Sequence, residues 1–330
     1  MRDVESKPAP TVVICGASAG VGRASAEQFA RAGYRVALIA RSERGLADTQ
    51  AQLQRAGATT LAIPADVADA AAVEHAAERV EAELGPIDVW VNAAMATVFG
   101  PVSQMTAAEI ERVTAVTYLG SVHGTLAALR HMRPRNHGTI VQVGSALAYR
   151  GIPLQAAYCA AKFAIRGFTD ALRCELIHDD SRVRLTMVQL PAHNTPQFDW
   201  ARNKLGKRAQ PVPPIYTPEV AARAVLQAAA DAPRELWLGK ASLQAILGTM
   251  VMPSVLDRMM ARSAWSGQMD EADAPADRPD NLFEPVDGLH RTEGRFSDRS
   301  SDRALSLSAG TVRILGALIL TIIAVLLLWI

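Results

Sequence analysis

Tyr158 and Lys162 stand four residues apart within Gln155–His178, a stretch with helical spacing, so they project from one helix face a single turn apart. A tyrosine near pKa 10 is a poor base at neutral pH. A neighbouring ammonium favours the phenolate, and the two together would form an acid/base device. Ser145 lies 13 residues before the tyrosine, just after the apolar run Thr139–Val143, where its hydroxyl would hold a carbonyl oxygen. A Tyr-x-x-x-Lys pair alone is commonplace on helix surfaces. The serine at a strand's end turns it into a set.

A second group of residues points to a phosphate. Gly16-Ala-Ser18-Ala19-Gly20-Val21-Gly22 follows the β-branched run Thr11–Cys15 and opens a helical stretch. Glycine lets the backbone turn tightly and approach a pyrophosphate, and a helix start offers free N–H groups and a positive dipole end. After the next strand the sequence reads Ala40-Arg41-Ser42 with no carboxylate, although a cofactor with a free ribose 2′-hydroxyl usually meets an acid there. Arg41 would instead fork a 2′-phosphate, which favours NADP(H), with NAD(H) the other possibility; an arginine merely solvated at the surface is the plain alternative.

These residues need a scaffold that brings them to one edge. Short apolar runs at Thr11–Cys15, Arg35–Ile39, Leu61–Ile63, Asp88–Asn92, Thr139–Val143, Val183–Leu190 and Glu235–Leu238 alternate with helical stretches. Thr106-Ala-Ala-Glu109 reads as a capping box opening a helix towards Met132, and Thr217-Pro218-Glu219 opens another. Strand–helix alternation at this spacing predicts right-handed crossovers and an α/β fold with a doubly wound parallel sheet, whose ligands lie beyond the strands' carboxyl ends.

Together these motifs resemble the short-chain dehydrogenase/reductase family, from about Thr11 to about Leu238. The likeness rests on the Gly16–Gly22 loop, Asp66-Val67, Asn92-Ala93-Ala94, Ser145, Tyr158-x-x-x-Lys162 and Pro191…Thr195. It implies a Rossmann-type seven-stranded sheet and a nicotinamide-dependent oxidoreductase interconverting a carbonyl and an alcohol. By that likeness Tyr158 would exchange the proton and Ser145 would orient the substrate oxygen. Lys162 would hold the ribose and lower the tyrosine pKa. Asp66 and Asn92 would line the adenine side, and Pro191 to Thr195 would border the nicotinamide. Subunits would pair through the long helices near 106–132 and 155–178. Three positions depart from the family pattern: Asn92-Ala-Ala-Met95 lacks a second asparagine and a glycine, Pro191-Ala192 replaces Pro-Gly, and Thr117 stands where a relay asparagine is usual.

The rest of the chain bounds the function. Of 330 residues, 34 are Lys or Arg and 33 Asp or Glu, a net charge of +1 that argues against a chain-wide grip on nucleic acid. Three scattered cysteines suit neither a disulfide framework nor a four-ligand zinc site, and no metal is expected. His193–Tyr216, with Phe198 and Trp200, is expected to form a lid over the substrate, and Met95, Val98 and Phe99 to add apolar wall. Residues 267–309 carry ten acidic and five basic residues with few apolar ones, which predicts a partly disordered linker docked at most around Leu282 and Phe283. Ile314–Ile330 is uncharged and apolar on every face, preceded by Arg313 and closed by Trp329-Ile330. As a helix of about 25 Å it would serve as a single-pass anchor, leaving the domain of residues 11–266 in the cytoplasm behind a polar extension, residues 1–10. The function class that competes with the oxidoreductase is a membrane-tethered nucleotide-binding or scaffold protein with little turnover.

Overall fold

The computed structural model describes residues 8–275 and 277–312, together with residues 314, 318 and 321. Strand β1 (Thr11–Cys15) is buried along its whole length, as its unbroken apolar run requires of a central parallel strand. Helix α1 (Gly20–Arg31), β2 (Arg35–Ala40), α2 (Glu43–Arg55), β3 (Thr60–Pro64), α3 (Ala70–Glu83) and β4 (Ile87–Asn92) follow in strict alternation. The Thr106–Glu109 capping box forms with both reciprocal bonds and opens α4 (Ala107–Val113). A π-turn over Thr114–Leu119 joins α4 to α5 (Gly120–Arg135). Then come β5 (Thr139–Val143), α6 (Ala156–His178), β6 (Arg184–Gln189), α7 (Pro218–Asp231) and β7 (Glu235–Leu238). Val13 and Cys15 face a layer built from α3, α5 and α6, whereas Val12 and Ile14 face one built from α1, α2 and α7. Alternate side chains of one strand thus seed both cores.

The sheet order is β3-β2-β1-β4-β5-β6-β7 with an eighth strand, β8 (Ser306–Ser308), at the edge. Seven strands are parallel, and β8 pairs antiparallel with β7, Leu307 opposite Trp237. That addition corrects the expected seven-stranded sheet. It also corrects the expected linker, because residues 267–309 are folded against the domain. Met269–Asp273 pairs with Lys207–Ala209, and Leu282, Phe296 and Ala309 are buried. Low average hydrophobicity misled because a few apolar residues, Leu282, Val286, Phe296 and Ala309, are buried as anchors; one buried leucine contributes about 2–3 kcal/mol. Arginines satisfy the segment's carbonyls or fasten it to the domain. Arg41 and Arg112 donate to its backbone, and its own Arg278 and Arg295 reach the backbone around Phe198–Ala201 and Ala209.

Two further helices, α8 (Gly239–Val251) and α9 (Pro253–Met259), follow β7. The expected anchor, Ile314–Ile330, lies outside the described residues except for three positions, as does the chain before Pro8. Among the described residues no helix is long and apolar enough to cross a membrane.

Candidate active site

The loop after β1 is shaped for a ligand by what it cannot hold. Gly16 has φ +89°, and a Cβ there would lie 2.8 Å from Ala94 Cα; a Cβ on Gly22 would lie 2.1 Å from the Gly16 carbonyl oxygen. Only glycine fits either place. Against this loop lies a cavity of about 180 Å³, walled by Ser18, Ala19, Val21, Arg41, Ser42, Asp66, Val67, Ala93, Ala94 and Thr195. All are on segments that follow strands, at the carboxyl edge where such sheets bind ligands. Asp66 is fixed by the Ala68 N–H (2.9 Å) and by Arg112. The residues present suit a dinucleotide: a side-chain-free cradle at a helix start and an enclosed pocket beside it.

Ser145 caps a short turn after β5. Its Oγ accepts from Leu147 N (3.1 Å), and its N–H donates to Gln189 Oε1 (2.9 Å). Its hydroxyl also donates to the Leu190 carbonyl (3.5 Å) and lies close enough to the Tyr158 phenol to favour its ionised form. Lys162, one turn beyond Tyr158 on α6, is buried and donates to the Val143 carbonyl (2.6 Å), its Nζ 5.5 Å from the Tyr158 ring centre. Burial pushes the Tyr158 phenol up, opposed by the Ser145 hydroxyl, and brings the Lys162 ammonium down to about 8. This rise runs opposite to the expected lowering. Desolvation outweighs the ammonium, and the phenol stands as a neutral acid. The three residues open on a cavity of about 460 Å³ walled by Met95, Ile152, Leu190, Pro191, Val212, Leu256, Met259 and Met260. Val21, Ala93, Met95, Thr195 and Gln197 border both cavities, so the cradle and the Ser145–Tyr158–Lys162 group share one cleft.

A match to the short chain dehydrogenase family spans residues 10–205, more than half of the chain. The chain belongs to the short-chain dehydrogenase family. It is 32% identical over 282 residues to "Uncharacterized oxidoreductase YxnA" of Bacillus subtilis (strain 168), covering 84% of this chain and 79% of that protein. It is 31% identical over 196 residues to 3-ketodihydrosphingosine reductase of Bos taurus, 58% of each chain. Its structure is similar to that of a short-chain dehydrogenase from Streptomyces avermitilis, with a TM-score of 0.64 and 26% identity over 79% of this chain and 97% of that one. This dehydrogenase is accordingly an NAD(P)-dependent oxidoreductase with a Rossmann-like α/β fold.

Several residues of this short-chain dehydrogenase sit elsewhere than the sequence suggested. Asn92 borders neither cavity. Its amide donates to Ser121 O, Thr125 Oγ1 and Gln142 Oε1 (each 3.1 Å) and accepts from Trp90 Nε1 (2.9 Å), so it ties β4 to α5 and β5. Thr117 is fully buried, and its hydroxyl both accepts from Ala96 N and donates to Ala96 O (3.0 Å each), which leaves no donor for a relay. Arg41 reaches the cavity wall, but its guanidinium donates to the carbonyls of Leu282 and Phe283 as well as Asn281. In the expected lid, residues 211–214 wall the cavity at Tyr158 and Trp200 the cradle side. Phe99 does not line the cavity; it packs with Phe198 and Phe296 in a core of its own. Sequence reasoning missed α8, α9 and the turn that follows, where Leu256, Met259 and Met260 form apolar wall; the methionine-rich run 247–260 was the available signal. His193, which the sequence placed only within longer segments, borders the larger cavity with Nδ1 on the Pro191 carbonyl (2.9 Å), burial holding its pKa down at about 4.

Proposed function

We propose that this chain is an NADP(H)-dependent reductase of lipophilic ketones, working at a membrane surface, with Tyr158 as the proton donor. One observation carries the reading: Ser145, Tyr158 and Lys162 converge on a mostly apolar cavity that shares its wall with the glycine cradle. A dinucleotide held against the Gly16–Gly22 loop would supply the hydride for the carbonyl carbon. Tyr158 O–H gives its proton to the carbonyl oxygen, and Ser145 O–H holds that oxygen in place. The phenolate left behind is stabilised by the Lys162 ammonium one turn away, and reprotonation from solvent resets the site. In the oxidative direction the same groups act in reverse. Arg41 and Ser42, with no carboxylate at the end of β2, support NADP(H) over NAD(H).

The substrate class rests on the walls Ile152, Val212, Leu256, Met259 and Met260, and the name of the bovine relative agrees with a long-chain ketone. Support for a membrane comes from α8 and α9, where Met250, Val251, Met252 and Val255 are all more than half exposed. Ala309 and Val312, which precede the apolar sequence 314–330, pack with Ile246 and Leu243 of α8. Arginines 291, 295, 299, 303 and 313 all precede the run, which favours a cytoplasmic domain. Leu119, Leu126 and Phe163, exposed around α5 and α6, support pairing of two copies there.

The test is NADPH consumption by the full chain in detergent micelles, against ketones graded from short and soluble to long-chain. Turnover that rises with chain length supports the reading. Tight NADPH binding with no turnover on any ketone would favour the scaffold class.

A further inference from the structure

The family match ends at residue 205, yet a later segment crosses the cradle side of the cleft. Its start is fastened by Leu282, fully buried, and by the Arg41 guanidinium, which donates to the Leu282 and Phe283 carbonyls. Further on, His290 Nε2 meets Ser42 Oγ at 2.9 Å, and Arg23 donates to the His290 carbonyl at 2.5 Å. The N–H of Gly20, in the cradle itself, donates to the Arg291 carbonyl at 3.0 Å. Beyond that, Gly294 N–H bonds Asn194 O at 3.1 Å, and a Cβ at Gly294 would lie 2.5 Å from the Thr195 carbonyl oxygen. Between these points Pro285 and Val286 face the cavity. The fastenings at Gly20, Arg41 and Ser42 are therefore made to residues of the cleft. The space beneath persists, about 180 Å³, so the segment is a wall and not a plug.

We propose that residues 281–294 form a clasp over the adenosine half of the cofactor site. The clasp fixes the Arg41 guanidinium and the Ser42 hydroxyl in place and must open for a dinucleotide to enter or leave. The inference rests on the dinucleotide reading of the cleft, and it adds to the site a wall that the family match does not reach. A guanidinium has five N–H donors, so Arg41 keeps donors for a ligand while it holds the clasp.

Three variants of the full chain test it. Leu282→Ala removes the buried anchor, Gly294→Val lifts the far end, and His290→Ala removes a half-buried contact with little threat to folding. NADPH affinity and its release rate are measured by stopped-flow fluorescence, and amide hydrogen exchange of 281–294 is followed with and without NADPH. The clasp predicts slowed exchange of 281–294 on NADPH binding in the unmodified chain. It predicts at least tenfold faster release and weaker binding in Leu282→Ala and Gly294→Val, and a smaller change of the same sign in His290→Ala. Tighter NADPH binding in the variants would make the segment a competitor and overturn the proposal, as would unchanged binding with exchange in 281–294 indifferent to NADPH. If the unmodified chain bound neither NADPH nor NADH, the cofactor reading itself would fall, and the clasp with it. Should Leu282→Ala or Gly294→Val not fold, His290→Ala and the exchange data decide.

Discussion

Lys162 makes opposite demands on activity and stability as pH rises, and the two can be measured on one sample. Its ammonium is buried with the Val143 carbonyl as its hydrogen-bond acceptor, and burial brings its pKa from 10.5 to about 8. That displacement is worth about 3 kcal/mol. In the unfolded chain the lysine holds its proton to about 10.5, so between pH 8 and 10.5 the unfolded state binds more protons than the folded one. Stability therefore rises with pH across that window; the penalty of the buried charge is fully present below pH 8 and lifted by 10.5. Activity runs the other way. The phenolate formed at Tyr158 loses its counter-charge as Lys162 deprotonates, so reductive kcat/KM should fall about tenfold per pH step above 8. Chemical denaturation and initial rates at pH 6.5 to 10 give both curves, and Lys162→Met should flatten the stability rise and lower activity at every pH. An alkaline limb near pH 10, or stability flat from 8 to 10 in the unmodified chain, would refute the buried-ammonium account.

Three other outcomes follow from single contacts. Arg41→Ala should cut NADPH affinity by one to two decades, the worth of a charge-assisted pair of about 1.5–3 kcal/mol, while NADH changes less; parallel titrations of the two cofactors check it. Thr117→Val strands the Ala96 N–H and carbonyl that the hydroxyl serves, so it should cost about 1–3 kcal/mol in denaturant unfolding and leave kcat within a few-fold; a large kcat loss in a stable variant would restore the relay. The full chain should sediment with membranes and resist alkaline washing, whereas a chain ending at Val312 should stay in the supernatant and keep its activity on soluble ketones.

The sheet was legible because parallel strands buried on both faces are written as unbroken apolar runs, and Thr139–Val143 and Glu235–Leu238 fall on strands of the same bounds. The cradle was legible for a related reason: Gly16 and Gly22 occupy places where any side chain would collide with backbone. Ser145, Tyr158 and Lys162 could be read from spacing, since a strand end and a helix turn fix their relative positions. What escaped depends on distant partners. Leu282, Val286 and Phe296 are scattered among charges, and nothing local shows that Arg41, 241 residues before Leu282, holds its carbonyl. Asn92 looked like a cofactor ligand because its type and place suited one, while the bonds that consume it come from Trp90, Ser121, Thr125 and Gln142. The tyrosine pKa was misjudged because spacing reports the nearby lysine and says nothing of desolvation.

Tyr158→Phe tests the central claim most directly, because it removes one hydroxyl from a partly buried ring and leaves the shape of the cleft unchanged. With NADPH affinity and unfolding midpoint measured alongside, turnover of the best long-chain ketone should fall by about two to four orders of magnitude, the range of a positioned general acid, with cofactor affinity held within a few-fold. Turnover within threefold of the unmodified chain would contradict the assignment of Tyr158 as the proton donor.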